Sequence, residues 1–300
     1  MADTTGEQDI RGINIDKLAK GFADEANVFK KHTLITKTQA REIRWYQKTS
    51  GFLDTTTTTG LTGTLMANVA SRARPQVIEQ SWTRQTSHVK KFFVESPTIS
   101  LEDIKDSDIN VLATNVRDIV RAVARKVDLR IYSVWVEATV ATPTVPNPTL
   151  INHTAATAEW DVTATANPIK DILVGAQKIR SFGYEPLGGT MLMNSIEHLR
   201  LLSYLIDVKG SSIPAFASEK IKSGVLMELL GWNIIVSENV TTDSVLQILP
   251  KTSATWKGFI PITSVVINEP GIGKKIRCWE EGEAVLTDPK SVHLITNTST

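Results

Sequence analysis

Apolar residues recur at helical spacing from Asp108 to Glu137: Ile109, Leu112, Val116, Ile119, Val120, Val123, Val127, Ile131 and Val134. A stripe with this period predicts one long helix with a single face on a core. Such a helix would run about 45 Å at roughly 1.5 Å per residue. Ser107 can cap it, and Ser100 ahead of Leu101, Glu102 and Asp103 marks a shorter helix start. Immediately upstream the pattern changes. From Gly60 to Pro97 large apolar side chains are sparse, and Leu65–Ala70 with Val77–Val94 reads as a long hairpin turning near Pro75. The threonine tract Thr55–Thr59 favours extended backbone as well. Two strands alone are marginal in water, so this ribbon predicts support from outside its own domain.

The remaining pattern divides the chain further. Residues 1–16 read as loosely held, and helical turns are expected between Ile15 and Thr49, first around Leu18, Phe22 and Val28 and then over Ala40–Lys48. Pro143, Pro146 and Pro148 mark a linker into a second lobe. There Asn167 serves as N-cap, Pro168 as first helical residue and Gly183 as the stop, around the stripe Ile169, Ile172, Leu173, Ala176, Ile179 and Phe182. A strand follows at Thr190–Met193. Asn194 caps the next helix, with Glu197 placed as in a capping box and Leu201, Leu202 and Leu205 on its apolar side. Ser211–Ser218 reads as a loop. Strands are expected at Trp232–Val236, Val245–Leu249, Phe259–Ile267, Lys274–Trp279, Ala284–Leu286 and Ser291–Thr296, with turns at Pro270-Gly271 and at Gly282. The sum is an α+β chain with a mostly antiparallel C-terminal sheet.

Composition narrows the function. Three hundred residues suffice for one large domain or two ordinary ones. The net charge of +1 gives no whole-surface attraction to nucleic acid or to an anionic membrane. Charge is uneven locally, however. Between Gly60 and Val94, Arg72, Arg74, Arg84, Lys90 and Lys91 face only Glu79. Between Lys17 and Lys48, eight basic residues, Lys30 and Lys31 among them, outnumber Asp24, Glu25 and Glu42. These stretches are either solvated basic loops or arms that dock on acidic surfaces of other subunits. The second reading makes Arg72, Arg74, Arg84, Lys90, Lys91, Lys30 and Lys31 the intersubunit contact candidates.

Catalytic signals fail one by one. Cys278 is the sole cysteine, which excludes an intrachain disulfide and a cysteine metal cluster, and it reads as a small buried side chain. His32, His88, His153, His198 and His293 show no paired metal spacing, and His198 reads as a surface residue. Gly271-Ile272-Gly273-Lys274-Lys275 lacks the phosphate-loop spacing, and no Gly-x-Ser-x-Gly elbow occurs. Glu280, Glu281 and Glu283 around Gly282 read as a solvated hairpin turn whose carboxylates diverge. Arg44, Trp45, Tyr46, Trp82 and Arg84 interleave aromatic and basic groups only weakly for base stacking. Met1–Asp9 carries no signal-peptide core, and no apolar run is long enough to span a membrane. The expectation is a non-enzyme without cofactor or metal, kept in a reducing, aqueous compartment.

The order of segments resembles the major capsid proteins of tailed double-stranded DNA viruses, those with the Hong-Kong-97-like fold. Four segments carry the likeness: the basic ribbon; Ile99–Val111 running into the long helix; Asp171–Asn194 with Phe182-Gly183-Tyr184-Glu185-Pro186 and Met191–Asn194; and Leu230–Val240 followed by the C-terminal strands through Trp279–Glu283 and Thr287–Val292. The resemblance implies an N-terminal arm over 1–49 and an extended E-loop over 50–97. It implies a peripheral domain with its spine helix over 98–140, an axial domain over 141–254, and strands over 255–300 completing both. It further implies pentamers and hexamers of the chain itself in a virion shell, assembled in the host cytoplasm around packaged double-stranded DNA. That DNA would be held without sequence-specific binding, and the shell would work with a portal and with separate scaffold or decoration proteins. The segment ahead of the ribbon is too short for a large cleaved scaffold. Lys90 and Lys91 lie where some relatives crosslink, but no partner asparagine can be matched. An encapsulin-type nanocompartment shell is the near alternative, and a soluble long-armed enzyme the distant one.

Overall fold

The computed structural model describes residues 19, 22–23, 27–48, 71–72, 82–106, 111–138, 146–162, 164–208 and 228–299. The strands in chain order are β1 (Leu34–Lys37), β2 (Glu42–Lys48), β3 (Trp82–His88), β4 (Lys90–Glu95), β5 (Ile99–Ser100), β6 (Asn152–Ala155) and β7 (Thr190–Met193). They continue with β8 (Glu228–Leu229), β9 (Trp232–Val236), β10 (Ser244–Ile248), β11 (Ala254–Glu269), β12 (Gly273–Leu286) and β13 (Val292–Thr296). The α-helices are α1 (Leu101–Asp106), α2 (Val111–Trp135), α3 (Pro168–Ser181) and α4 (Ser195–Ser203). Two compact units emerge: Met1–Ile43, Ser87–Ile131 and Trp256–Val285 form the first, and Arg44–Thr86, Tyr132–Thr255 and Leu286–Thr300 the second.

In the first unit the sheet runs β1-β11-β12-β4, with β5 also paired to β12. The stripe on α2 is what makes its core. Val116, Ile119, Val120 and Val123 pack with Ile99, Ile262, Ile276 and Cys278, and with Ala19 and Ala23 from the N-terminal segment. Val127 continues the buried stripe, while Ile109 and the cap at Ser107 lie outside the described residues. Ser100 behaves as predicted, its Oγ accepting the Asp103 N–H at 3.0 Å.

Two expectations in this region are corrected. Residues 42–48 form strand β2, not helical turns, and β2 pairs with β3 in a two-stranded ribbon. Ile43 and Gln47 are buried where Glu42, Arg44 and Tyr46 are exposed, so the governing period is two, set by the neighbouring strand. The other arm of the expected hairpin, Leu65–Ala70, lies outside the described residues. Nor does the chain turn at Gly282: β12 runs unbroken from Gly273 to Leu286.

The second unit carries a six-stranded mixed sheet, β6-β13-β10-β7-β9-β8. β6 with β13 and β7 with β9 are parallel, and the other pairs antiparallel, so this part of the C-terminal sheet is less uniformly antiparallel than expected. Asn167 Oδ1 accepts the Lys170 N–H at 3.2 Å with Pro168 at the first turn, and the chain leaves α3 through Gly183 at φ 85°. Ile172 and Ile179 from α3 pack with Trp160, Met191, Met193, Leu201, Trp232, Val245 and Ile295. Leu173, expected in the same stripe, is half exposed.

Asn194 caps α4 by accepting the Ile196 N–H at 3.2 Å. Glu197 does not close a capping box: its Oε1 accepts the Asp243 N–H at 2.8 Å and the Ser299 hydroxyl at 3.3 Å. The carboxylate is fully buried, and a distant loop and the chain's end supply donors that the helix start would otherwise have provided. Among the described residues no helix is long and apolar enough to cross a membrane.

Candidate functional site

The most unusual chemistry of the first unit sits on β12. Glu280, Glu281 and Glu283 are all buried, which reverses the solvated-turn expectation. A buried carboxylate costs several kcal/mol in lost hydration, ~3–5 when its partner is missing, so each must be paired. Lys30 Nζ forms an ion pair with Glu280 and lies 5.4 Å from the Trp256 ring centroid. Lys91, opposite Glu281 in the β4–β12 register, reaches it at 3.6 Å. Arg130 Nε donates to Glu283 Oε1 at 2.9 Å, and its Nη2 closes on the same oxygen. Glu280 Oε2 and Glu283 Oε2 are buried beyond these bonds without a hydrogen-bond partner. Burial pulls the Lys90 ammonium down from its ordinary range, with Glu283 opposing and Arg130 reinforcing the shift.

Gly282 permits this packing. A Cβ there would meet Trp256 Cζ2 at 2.4 Å and the Lys257 carbonyl at 3.0 Å. The indole therefore lies flush on the strand backbone, a use of strand glycine that needs no turn.

Asp128 on α2 completes the charge set. Its carboxylate accepts the Val28 N–H at 2.7 Å and the Lys30 N–H at 3.2 Å. Burial raises its pKa to about 6, against the opposing pull of the Val28, Phe29 and Lys30 amides and the Lys30 charge. Phe29 is fully buried one residue from Lys30. Residues 28–30 are thus clasped to the first unit by an aromatic plug, a carboxylate and a lysine.

The ribbon β2–β3 is exposed by comparison. Trp45 Nε1 and Gln47 Nε2 donate to the Leu286 carbonyl at 3.1 and 3.3 Å, which fixes one side of it. Tyr46 and Trp82 present large aromatic surface outward, 64% and 56% exposed, and Arg84 is exposed beside Trp82.

The seven contact candidates therefore separate. Arg72, Arg84, Lys31, Lys90 and Lys91 are exposed, and Lys30 is partly so. Lys30 and Lys91 have carboxylate partners in their own chain, and Lys90 lies opposite Gly282 on β4. Arg74 lies outside the described residues. What the sequence reading missed is the acidic side of these pairs: Asp128, Glu280, Glu281 and Glu283. Asp128 stands one position from Val127 and four from Ala124, both buried, so its place on the helix was a usable signal of burial.

Two buried polar side chains of the second unit, His293 and Asp171, have structural roles. His293 is held neutral by burial, with a pKa pushed down to about 3. Its Nδ1 meets Gln247 Oε1 at 3.1 Å and its Nε2 meets Thr154 Oγ1 at 2.9 Å. Asp171 accepts the Thr157 N–H at 3.0 Å and the Trp160 Nε1–H at 3.1 Å, fastening that loop to α3. His198, expected at the surface, is only partly exposed. Among the described residues no three His, Cys, Asp or Glu side chains are grouped to hold a metal ion.

No protein-family model matches this sequence, and no curated protein matches it. Solved structures do match its fold. A virus-like particle from Pyrococcus furiosus superposes with a TM-score of 0.60 at 9% identity, over 95% of this chain and 99% of the other. The capsid structure of the cyanophage P-SCSP1u gives 0.62 at 9%, over 91% and 89%. The mature capsid of bacteriophage PhiM1 gives 0.60 at 11%, over 90% and 86%.

Proposed function

We propose, from the Hong-Kong-97-like capsid fold that this chain has, that it is the major capsid protein of a tailed double-stranded DNA virus. Many copies would close into the icosahedral head shell. The observation that carries this reading is coverage: the likeness to capsid chains extends over nine-tenths of the protein, so few residues are left over for a different task. On this reading the role is mechanical and no step is catalysed. Residues 98–140 with strands from 255–300 serve as the peripheral domain, and residues 141–254 as the axial domain near five-fold and six-fold axes. The ribbon within 50–97 and the arm within 1–49 overlap adjacent subunits, with Arg72, Arg84, Lys90, Lys91 and Lys31 as outward cations, Lys30 beside them and Arg74 assigned to the same group.

A near-neutral subunit suits a shell that encloses DNA without gripping its sequence. The virion is the proposed location, with assembly in the host cytoplasm, and a portal and separate scaffold or decoration proteins are the proposed partners. A nanocompartment shell that encloses protein cargo is the second reading. The likeness to the Pyrococcus furiosus virus-like particle, complete at 99% of that chain, favours it.

Negative-stain electron microscopy of the purified protein, with size-exclusion chromatography beside it, tests both readings. Closed shells or rings of five and six subunits are expected, and their contents, genome or cargo, decide between them. A monodisperse monomer or dimer at every salt and protein concentration would overturn both.

A further inference from the structure

One face of α2 carries a row of cations that its fold does not use. The buried positions Val116, Val120, Val123 and Val127 turn the opposite side outward, where Arg121, Arg125 and Lys126 are exposed and Arg117 is half-exposed. Arg117, Arg121 and Arg125 follow one another every four residues, about 6 Å apart along the axis, with Lys126 beside the last. Asp118 is the sole acid from Arg117 to Lys126, and it lies 3.8 Å from Arg117.

Helix stability does not explain the row. Arginines four residues apart repel each other rather than staple a turn. Cations stabilise the last turn of a helix, yet this row lies mid-helix and the last turn of α2 has no basic residue. Several surface cations elsewhere are answered within the chain: Arg180 by Glu185, Arg200 by Asp161, Lys275 by Glu269 and Arg277 by Glu95. Among the described residues Arg121 and Lys126 have no ion-pair partner.

We propose that this row on α2 is a contact for the sugar–phosphate backbone of duplex DNA. A duplex presents one negative charge per roughly 1.7 Å of its axis, enough to meet every cation of a row about 12 Å long at once. A second copy of this chain offers less. Its acids Glu95, Asp161, Glu185 and Glu269 are already paired, and α1 shows Glu102 and Asp103 exposed, two charges against four cations. A net charge of +1 keeps the attraction local to this face, and backbone contacts carry no sequence information. The inference rests on the shell reading and deepens it by naming the subunit face that the packaged genome touches.

Fluorescence anisotropy of a labelled random-sequence duplex, titrated with the unassembled subunit over a salt series, tests the contact. With Arg121, Arg125 and Lys126 each meeting a phosphate, log K should fall against log salt with a slope of about −3, a loss of about fortyfold between about 50 and 200 mM. Arg121→Gln/Lys126→Gln should bring the slope to about −1 at an unchanged unfolding midpoint. Lys170→Gln, which removes an exposed cation from α3, should leave the slope at about −3. No duplex binding by the parent, an unchanged slope in the double variant, or an equal change in Lys170→Gln would overturn the contact and leave the shell reading intact. Polyglutamate bound as tightly as the duplex would give the row to an acidic protein surface. A double variant that keeps duplex binding but no longer assembles would give it to a neighbouring subunit. Either result overturns the inference. A parent that binds duplex through the row yet forms no shells would keep the contact and overturn the shell reading.

Discussion

Arg130 directs both Nε and Nη2 at one carboxylate oxygen of Glu283, a side chain fully withdrawn from solvent. Helix α2 and strand β12, which share the apolar contacts of Val116, Val120, Val123, Ile276 and Cys278, are thereby also joined by a charge pair. Such a pair is costly to break by halves, since the survivor is left charged and dry. Glu283→Gln or Arg130→Met alone should lower stability by about 3–5 kcal/mol. The double variant Arg130→Met/Glu283→Leu should lose less than the sum. Urea unfolding of the unassembled subunit measures this, and strictly additive losses would deny the coupling.

Asp128 gives the first unit a definite pH dependence. Its pKa stands at about 6 in the folded chain against an ordinary 3.8. The folded state therefore holds this proton more tightly than the unfolded chain does. The stabilisation is complete below about 3.8 and is lost as pH rises through about 6. Unfolding midpoints of the parent and of Asp128→Asn, compared across pH 4–7, should converge or cross in that window by up to about 3 kcal/mol. A constant difference across the window would show that Asp128 does not titrate there.

The signals that were legible are local ones. Asn167, Pro168 and Gly183 lie within one helix length of each other and placed α3 closely, because capping chemistry needs only neighbours in sequence. The α2 stripe was legible for the same reason. Burial of Glu280 and Glu283 was not, since their partners Lys30 and Arg130 are 250 and 153 residues away. Without those cations in view, three acids around a glycine have the composition of an exposed turn. Strand β2 failed similarly: its alternation gains meaning from β3, some forty positions on, and its Glu42, Arg44, Gln47 and Lys48 also suit a helix. The tight turn between β8 and β9 was not legible because the Leu230-Gly231 pair carries no turn signature of its own.

Gly282→Ala tests whether the strand glycine is there for its lack of a side chain. The added methyl would meet Trp256 Cζ2 at 2.4 Å and a backbone carbonyl at 3.0 Å. The carbonyl cannot rotate away. A loss of about 1–3 kcal/mol is expected, as for overpacked cores, and Trp256→Leu in the same chain should recover part of it. Thermal or urea unfolding reads both, and an unchanged midpoint for Gly282→Ala would mean that strand and indole separate freely.

The exposed cations offer the sharpest separation of folding from assembly. Arg84 is exposed on β3 and Lys31 is exposed in the N-terminal segment, whereas Lys30 next to it is paired with Glu280. Arg84→Glu and Lys31→Glu should leave the subunit's unfolding midpoint within about 0.5 kcal/mol of the parent. If the ribbon and arm dock on acidic neighbours, the same substitutions should raise the concentration needed for assembly, and added salt should weaken assembly of the parent more than that of the variants. Lys30→Met should behave oppositely, lowering subunit stability because Glu280 is left buried and unpaired. Light scattering against salt, read beside urea unfolding, distinguishes the two patterns. Assembly of Arg84→Glu and Lys31→Glu at the parent's concentration and salt dependence would remove both cations from the contact set.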